Sequence, residues 1–282
     1  MKLIADSGST KTEWAWVDNQ GVVMHRQTTE GINPVHQQEA DIRRVLQTIT
    51  IASPVDSLHF YGSGIRPELR QFMRSLLGSH FGVSEVEAES DLLGAARALC
   101  GQEEGIACIL GTGSNSCLYN GREIVANTPS LGYILGDEGS GAFIGRNFLN
   151  AMYKGRLPKS LQELFEQDMK LSLSDIISHV YRQPMANRWL ASLTRFIYRY
   201  TTEYDELSLL VTDCFGQFLR NNVLPYQRSD LSLSATGSVA WYFQTELAHA
   251  ASLCCLKIGK IEQAPMQGLI SYTCMSSIKK NK

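Results

Sequence analysis

Leu3-Ile4-Ala5-Asp6-Ser7-Gly8-Ser9-Thr10-Lys11-Thr12-Glu13-Trp14-Ala15-Trp16-Val17 decides the fold, because its pattern returns later in the chain as Cys108-Ile109-Leu110-Gly111-Thr112-Gly113-Ser114-Asn115-Ser116-Cys117-Leu118-Tyr119. Each copy reads as a strand, a hairpin of small residues and a second strand. Each then runs through a turn, Asp18 to Gly21 or Asn120-Gly121, towards a third strand. Glycine in the hairpin permits positive φ, and short side chains let a ligand reach the main chain. Successive backbone N–H groups in such a bend form an anion-binding nest. Two nests on two similar halves suggest two jaws gripping one polyphosphate.

Outward from these copies, the first half alternates short apolar strands, 58–61 and 83–86, with helical spacing at Ile42, Val45, Leu46 and Ile49 and at Leu69, Phe72, Leu76 and Leu77. A meander followed by βα units predicts an α/β domain with helices over a mixed sheet. The second half turns helical after Gly139, with helices expected over 142–153, 161–169, 189–200, 207–224 and 239–256 and a strand over 231–235. The polar run Gly101-Gln102-Glu103-Glu104-Gly105 marks the boundary between a domain of 1–104 and one of 105–282, whose final stretch, 266–278, is expected to be a helix that crosses back to the first domain.

The chain has 282 residues, 44% hydrophobic and 19% charged, which excludes disorder and supports two domains. A net charge of -2 without a basic stripe gives no reason to expect nucleic acid, and the Lys279-Lys280-Asn281-Lys282 tail reads as a solvated end. No apolar run approaches the ~20 residues of a membrane span, and no secretory signal is visible, so a cytoplasmic protein is expected. Seven scattered cysteines without Cys-x-x-Cys spacing read as reduced, mostly buried thiols, with Cys254 and Cys255 as helical core. The six histidines show no ligand spacing.

The first hairpin is not a Walker A loop, which has two glycines, a Gly-Lys-Ser/Thr end and a helix behind it. Its N–H groups suit β- and γ-phosphates, with Lys11 and the hydroxyls of Ser9, Thr10 and Thr12 as further donors. Asp6, at a strand end, suits the water shell of Mg²⁺. Gly111, Thr112, Gly113 and Ser114 form the second nest. In Leu131-Gly132-Tyr133-Ile134-Leu135-Gly136-Asp137-Glu138-Gly139-Ser140-Gly141, two acids and several glycines precede an amphipathic helix. Asp137 or Ser140 serves as its cap, or the segment is a ligand loop. Asp91 opens a helix as a cap or first-turn acid, or acts as a general base. Asn33-Pro34 opens a helix over 36–51, or Asn33 contacts a sugar. Thr236-Gly237-Ser238 is a strand–glycine–helix turn that suits an adenosine edge.

Taken together, the two hairpins, the Gly136-Asp137-Glu138-Gly139-Ser140 run and Ala235-Thr236-Gly237-Ser238-Val239 resemble the BadF/BadG/BcrA/BcrD-type ATPase family, in its N-acetylglucosamine kinase-like branch. The resemblance covers nearly the whole chain in order. It implies two ribonuclease H-like domains of the actin/hexokinase type around an ATP cleft. It implies ATP and Mg²⁺ as cofactors, with Ser7, Gly8, Ser9, Thr10, Lys11 and Thr12 and Gly111 to Ser114 on the phosphates. Gly237 and Ser238 would lie on the adenosine, Asp91 would be the catalytic base, and Asn33, Gly132, Tyr133 and Asp137 would hold an amino sugar. The implied reaction phosphorylates that sugar, N-acetylglucosamine at its 6-hydroxyl first among candidates, and a homodimer is a fair expectation. The alternative is an ATPase that switches a partner protein. A silent sugar sensor is disfavoured by the intact Asp91 and hairpins. The iron–sulfur activator branch is disfavoured because Cys108 is separated from Gly111 by Ile109-Leu110. Residues 154–228 match no motif.

Overall fold

The computed structural model describes residues 1–8, 10–50 and 53–280, with side chains not described for 276–280. The chain divides into two compact units, Met1–Glu104 with Tyr119–Ile124 and Ala264–Lys282, and Gly105–Leu118 with Val125–Gln263.

In unit 1, β1 (Lys2–Ser7), β2 (Lys11–Val17) and β3 (Val23–Glu30) form the meander. α1 (Glu39–Gln47), β4 (Ser57–Gly62), α2 (Pro67–Phe81), β5 (Glu85–Ser90) and α3 (Asp91–Cys100) follow. The sheet order is β3-β2-β1-β4-β5, with β1 antiparallel to β2 and parallel to β4, and β4 parallel to β5. The central strand β1 is apolar on both faces. Leu3 and Ala5 join a core with Trp14, Trp16 and the buried faces of α1 and α2, while Ile4 joins a second core with Tyr61, Ala98, Leu269 and Ile270. A strand covered on both sides is expected to read as a continuous apolar run, as Leu3-Ile4-Ala5 does.

In unit 2, β6 (Glu104–Leu110), β7 (Ser114–Asn120) and β8 (Ile124–Ala126) repeat the meander, with the β7–β8 tip counted in unit 1. Helices α4 (Gly132–Leu135), α5 (Gly141–Tyr153), α6 (Lys159–Met169), α7 (Leu173–Tyr181), α8 (Ala186–Ser192), α9 (Thr194–Tyr200) and α10 (Asp205–Phe218) come next. A π turn over Leu219–Val223 and a 3-10 turn over Leu224–Tyr226 lead to β9 (Ser232–Thr236), α11 (Ser238–Tyr242), α12 (Gln244–Leu253) and β10 (Lys257–Glu262). The second sheet runs β10-β9-β6-β7-β8. Residues 154–228, silent in motif terms, supply much of this unit's core through Leu161, Phe165, Leu190, Phe196 and Phe215. The last helix, α13 (Met266–Lys280), belongs to unit 1 and packs on α3 and β1.

The α/β class and the repeated meander agree with the sequence reading, and several boundaries do not. The helix expected over 189–200 breaks at Leu193, where the Ser192 and Thr194 hydroxyls donate to the carbonyls of Trp189 and Ala191 and compete with the helix ladder. The helix expected over 239–256 is interrupted at Phe243 and ends at Leu253. Cys255 then takes φ 56° and is exposed, so its reading as helical core fails, while Cys254, just past the helix, is partly buried against the core. Strand β10 follows unannounced, since its edge position exposes Lys257 and Lys260 and leaves no alternation to read. The strand expected over 83–86 is the later β5, and α1 starts at Glu39 rather than at 36. Residue 51, the expected end of that helix, residue 52 and Asn281-Lys282 lie outside the described residues. No helix among the described residues is long and apolar enough to cross a membrane.

Candidate active site

The carboxyl ends of β1, β4 and β5 align, with Ser7 beside Gly62 and Gly62 beside Ser90. Ligands of open α/β sheets gather at such strand ends. Asp6 stands at this edge on β1, and Asp91 follows β5 as the first residue of α3. Ser90, not Asp91, caps the helix by taking the Leu93 N–H at 3.2 Å. The Asp91 carboxylate is thereby released from the capping role and, among the described residues, accepts from local backbone N–H groups, such as that of Leu92 at 2.9 Å. Burial lifts Asp91 to about 6 against those bonds. Burial, then the charges of Asp91 and Glu13, lift Asp6 to about 7, with Lys11 opposing. The two carboxyls therefore sense each other at one sheet edge.

The first hairpin is closed by the Gly8 N–H donating to the Lys11 carbonyl at 3.0 Å, and Gly8, Thr10 and Lys11 are exposed. Ser9 lies outside the described residues. Ser7 and Thr12, expected on the phosphates, are fully buried. Their hydroxyls bond each other at 2.7 Å, Ser7 takes the Ile32 N–H at 2.9 Å, and Thr12 donates to the Glu30 carbonyl. They brace the hairpin from inside and offer no hydroxyl to a ligand. Through Ile32 the brace reaches Asn33. Asn33 does not cap α1, whose N-cap is Gln38. Its Oδ1 instead accepts from the Val35 N–H, and its amide reaches Ser63 just past β4. Ser63 was not singled out in the sequence; its signal is the small-residue run Gly62-Ser63-Gly64 after an apolar strand.

In unit 2, the carbonyls of Gly111 and Thr112 accept from the N–H groups of Gly141 and Ala142, which turns the carbonyl side of the second hairpin onto α5. Ser140 caps α5 by taking the Phe143 N–H at 3.1 Å, and the alternative cap, Asp137, is freed for the hairpin. Asp137 Oδ1 accepts the Ser114 N–H at 3.4 Å, so Ser114 is buried and its amide is engaged rather than open to phosphate. Burial lifts the Asp137 carboxyl to about 6, against the Ser114 bond, with Glu138 adding to the rise. Gly132 and Tyr133 sit on α4 of the same loop, where the Tyr133 carbonyl accepts from Arg146. Gly237, at φ 120°, lets the β9–α11 turn lie against the Leu110 carbonyl that leads into the second hairpin, and a side chain there would collide with it. Ser238 beside it is exposed.

The sequence missed one supporting cluster. Glu138 accepts from the amides of Asn221 at 3.0 Å and Asn222 at 3.3 Å in the π turn, and Ser116 bonds both the Asn222 carbonyl and Tyr226. Its signal is the adjacent pair Asn221-Asn222 near the end of an amphipathic helical run. Single π turns often mark functional sites. Among the described residues no group of three or more His, Cys, Asp or Glu side chains is placed to hold a metal.

Two meanders, each extended by parallel strands and each carrying a glycine-lined hairpin, give the two-domain fold of the hexokinase/actin type, a fold shared with a ROK family glucokinase of Streptomyces griseus at 12% identity and a TM-score of 0.59, with 97% of this chain and 98% of that one covered. No family model matches the chain. It is similar over 98% of its length to a solved structure from Porphyromonas gingivalis, provisionally assigned as an N-acetylglucosamine kinase, at 44% identity and a TM-score of 0.94, with all of that chain covered. An N-acetyl-D-glucosamine kinase of Dictyostelium discoideum is 28% identical over 236 residues, covering 73% of this chain and 72% of its own. An N-acetylmuramic acid/N-acetylglucosamine kinase of Clostridium acetobutylicum is 36% identical over 101 residues, 34% of this chain, and that match spans only 33% of the relative. The chain belongs to the N-acetylglucosamine kinase-like family of sugar kinases.

Proposed function

We propose that the protein transfers the γ-phosphoryl group of ATP to an amino sugar, N-acetylglucosamine at its 6-hydroxyl, and that Asp91 accepts the hydroxyl proton. The observation that carries this is the Asp91 carboxyl itself. It sits at the ligand-gathering edge of the sheet, is excused from capping by Ser90, and is tuned to about 6. A base with that value is mostly ionised at neutral pH and still takes up a proton readily.

Phosphoryl transfer asks the protein mainly for positioning and charge stabilisation. The exposed first hairpin at Gly8, Thr10 and Lys11, and the amides of Thr112 and Gly113 in the second, are assigned to the phosphates. Gly237 and Ser238 are assigned to the adenosine, and Asn33, Gly132, Tyr133 and Asp137 to the sugar. Hydroxyl recognition by buried polar groups rejects analogues lacking the hydroxyl. Mg²⁺ fits the residues present: Asp6 is a carboxyl lifted by burial and by neighbouring negative charge, a penalty that a cation offsets. Mg²⁺ is commonly held by one or two carboxylates with phosphates and water, so Asp6 would hold it through water. Bound there, the ion would neutralise phosphate charge. The chain is further assigned to the BadF/BadG/BcrA/BcrD-type family, to the cytoplasm, and to a homodimer.

The test is a phosphorylation screen with ATP against N-acetylglucosamine, glucosamine, N-acetylmuramic acid and N-acetylmannosamine. The expected result is N-acetylglucosamine 6-phosphate formed one-for-one with ADP. ATP hydrolysis that no sugar alters would overturn the proposal.

A further inference from the structure

Unit 1 holds a cavity of about 340 Å³ that the catalytic reading does not use. Cavities that take small molecules run from roughly 300 to 1,000 Å³. Arg70 of α2, Arg97 of α3 and Arg122 of the β7–β8 tip line it, together with Glu89, Glu123 and Ser90. Three arginines face two glutamates, a surplus of one positive charge. The surplus survives a wider view. Glu89 is shared by Arg70 at 2.8 Å and Arg74 at 3.2 Å, and Glu87 serves Arg97 at 2.8 Å, so four guanidinium groups stand against three carboxylates.

A second observation points the same way. The Nε–H groups of Arg70, Arg74 and Arg97 are buried and find no acceptor among the described residues. A buried donor without a partner costs about 1–3 kcal/mol, more when charged. Two of these donors, on Arg70 and Arg97, belong to residues that line the cavity, and even with Glu89 Oε2 also buried without a hydrogen bond the cluster keeps more unmet donors than acceptors, which suits an acceptor-rich anion. Arginine forks match phosphate oxygens in pairs. Glu89 and Glu123 are acceptors that suit hydroxyls, and Leu93 and Ile124 add apolar wall.

We propose that this cavity binds a phosphate monoester of a polyhydroxyl compound, that is, a sugar phosphate, at a site separate from the phosphate hairpins. The inference does not depend on which reaction the protein catalyses. It does bear on Asp91. Ser90 lines the cavity, and its hydroxyl holds the first turn of the helix that Asp91 opens. A ligand seated there touches the residue that sets the Asp91 backbone.

The test is calorimetric titration of the whole protein with glucose 6-phosphate and, separately, with inorganic phosphate. Arg122→Glu and Glu123→Lys are compared with the parent protein; both residues are exposed at a hairpin tip, so folding is checked simply by melting. Glucose 6-phosphate should bind more tightly than phosphate. Arg122→Glu should weaken it about tenfold to a hundredfold, the range expected for losing a charge-assisted bond, and Glu123→Lys should tighten inorganic phosphate while narrowing the preference for glucose 6-phosphate, because a cation is gained and a hydroxyl acceptor is lost. Equal binding of the two ligands overturns the sugar-phosphate assignment and leaves an anion site. Absence of heat with either ligand, or one affinity in all three proteins, overturns the site. Glucose 6-phosphate bound at the catalytic residues gives that last result.

Discussion

Asp91→Asn separates what the site needs from what the fold prefers. Asn keeps the size of the side chain and an oxygen to accept the Leu92 N–H, so the first turn of α3 is preserved. It removes the proton acceptor. General base catalysis contributes typically 10²–10⁴-fold, so turnover should fall by about that factor while ATP binding stays. The pH dependence adds a second signature. A carboxyl at about 6 is ionised to about nine-tenths at pH 7 and about one-tenth at pH 5, so kcat/KM of the parent should drop about tenfold between them. That limb should vanish in the variant.

Stability should move the other way. Asp91 ordinarily titrates at 3.8 and rises to about 6 in the folded protein, so the folded state holds the proton more tightly. Below 3.8 both states are protonated and the group is neutral in effect. Between there and about 6 the unfolded chain ionises first, and stability is lost as pH rises. Above about 6 the whole penalty is present, at most about 3 kcal/mol from a shift of about two units. Asp91→Asn should therefore melt higher than the parent at pH 8 and nearly level with it at pH 4. A like charge near Asp6 is lost as well, which adds to the gain. Turnover within about tenfold of the parent would remove Asp91 as the base. A lower melting point at pH 8 would refute the burial penalty from which its pKa was argued.

Ser7→Ala should lower stability by about 1–3 kcal/mol, because the Ile32 N–H and the Thr12 hydroxyl lose a buried partner; calorimetry reads it, and a purely catalytic defect with parental stability would return Ser7 to the phosphates. Gly113→Ala puts a methyl 3.0 Å from Asp137 Oδ2, so Asp137 must shift. KM for ATP or sugar should rise about tenfold, since small displacements at a reacting site cost that much or more, and unchanged steady-state constants would show the hairpin uninvolved. Glu138→Ala leaves the amide of Asn222, itself 5% exposed, without its acceptor. Hydrogen exchange over 219–223 should speed up, and unaltered exchange there would mean that the π turn holds without Glu138.

The fold was legible where local chemistry and tertiary demand coincide. The central strand is apolar because both faces are covered, the meanders repeat because two sheets repeat, and each hairpin announces itself in small residues. Legibility fails where one side of an element is solvent. β10 pairs only with β9 and carries lysines outward, so its pattern is neither alternating nor apolar. It fails again where side-chain hydroxyls interrupt a helix, as those of Ser192 and Thr194 do, because the residue type is compatible with both outcomes.

Site residues divided along a different line. Sequence motifs locate backbone geometry well, since only glycine permits it, but they do not tell a side chain that faces a ligand from one that holds the loop behind it. Ser7, Thr12 and Ser114 sit inside the expected motifs yet turn inward, while Asp91 and Asp137, each with an ambiguous local role, are released because a neighbouring serine takes the helix cap. Ser90 before Asp91 and Ser140 after Asp137 are the same device used twice. A hydroxyl satisfies the first turn, so a carboxylate at a helix entrance is left with its charge uncommitted and, under burial, with a pKa near neutrality. Exchanging Ser90 for Ala should therefore draw Asp91 into the cap and lower its pKa, because added N–H donors stabilise the ionised form. The acid limb of kcat/KM should then move to lower pH while the residue itself is untouched. An acid limb that stayed near 6 would show that Ser90 does not hold Asp91 free.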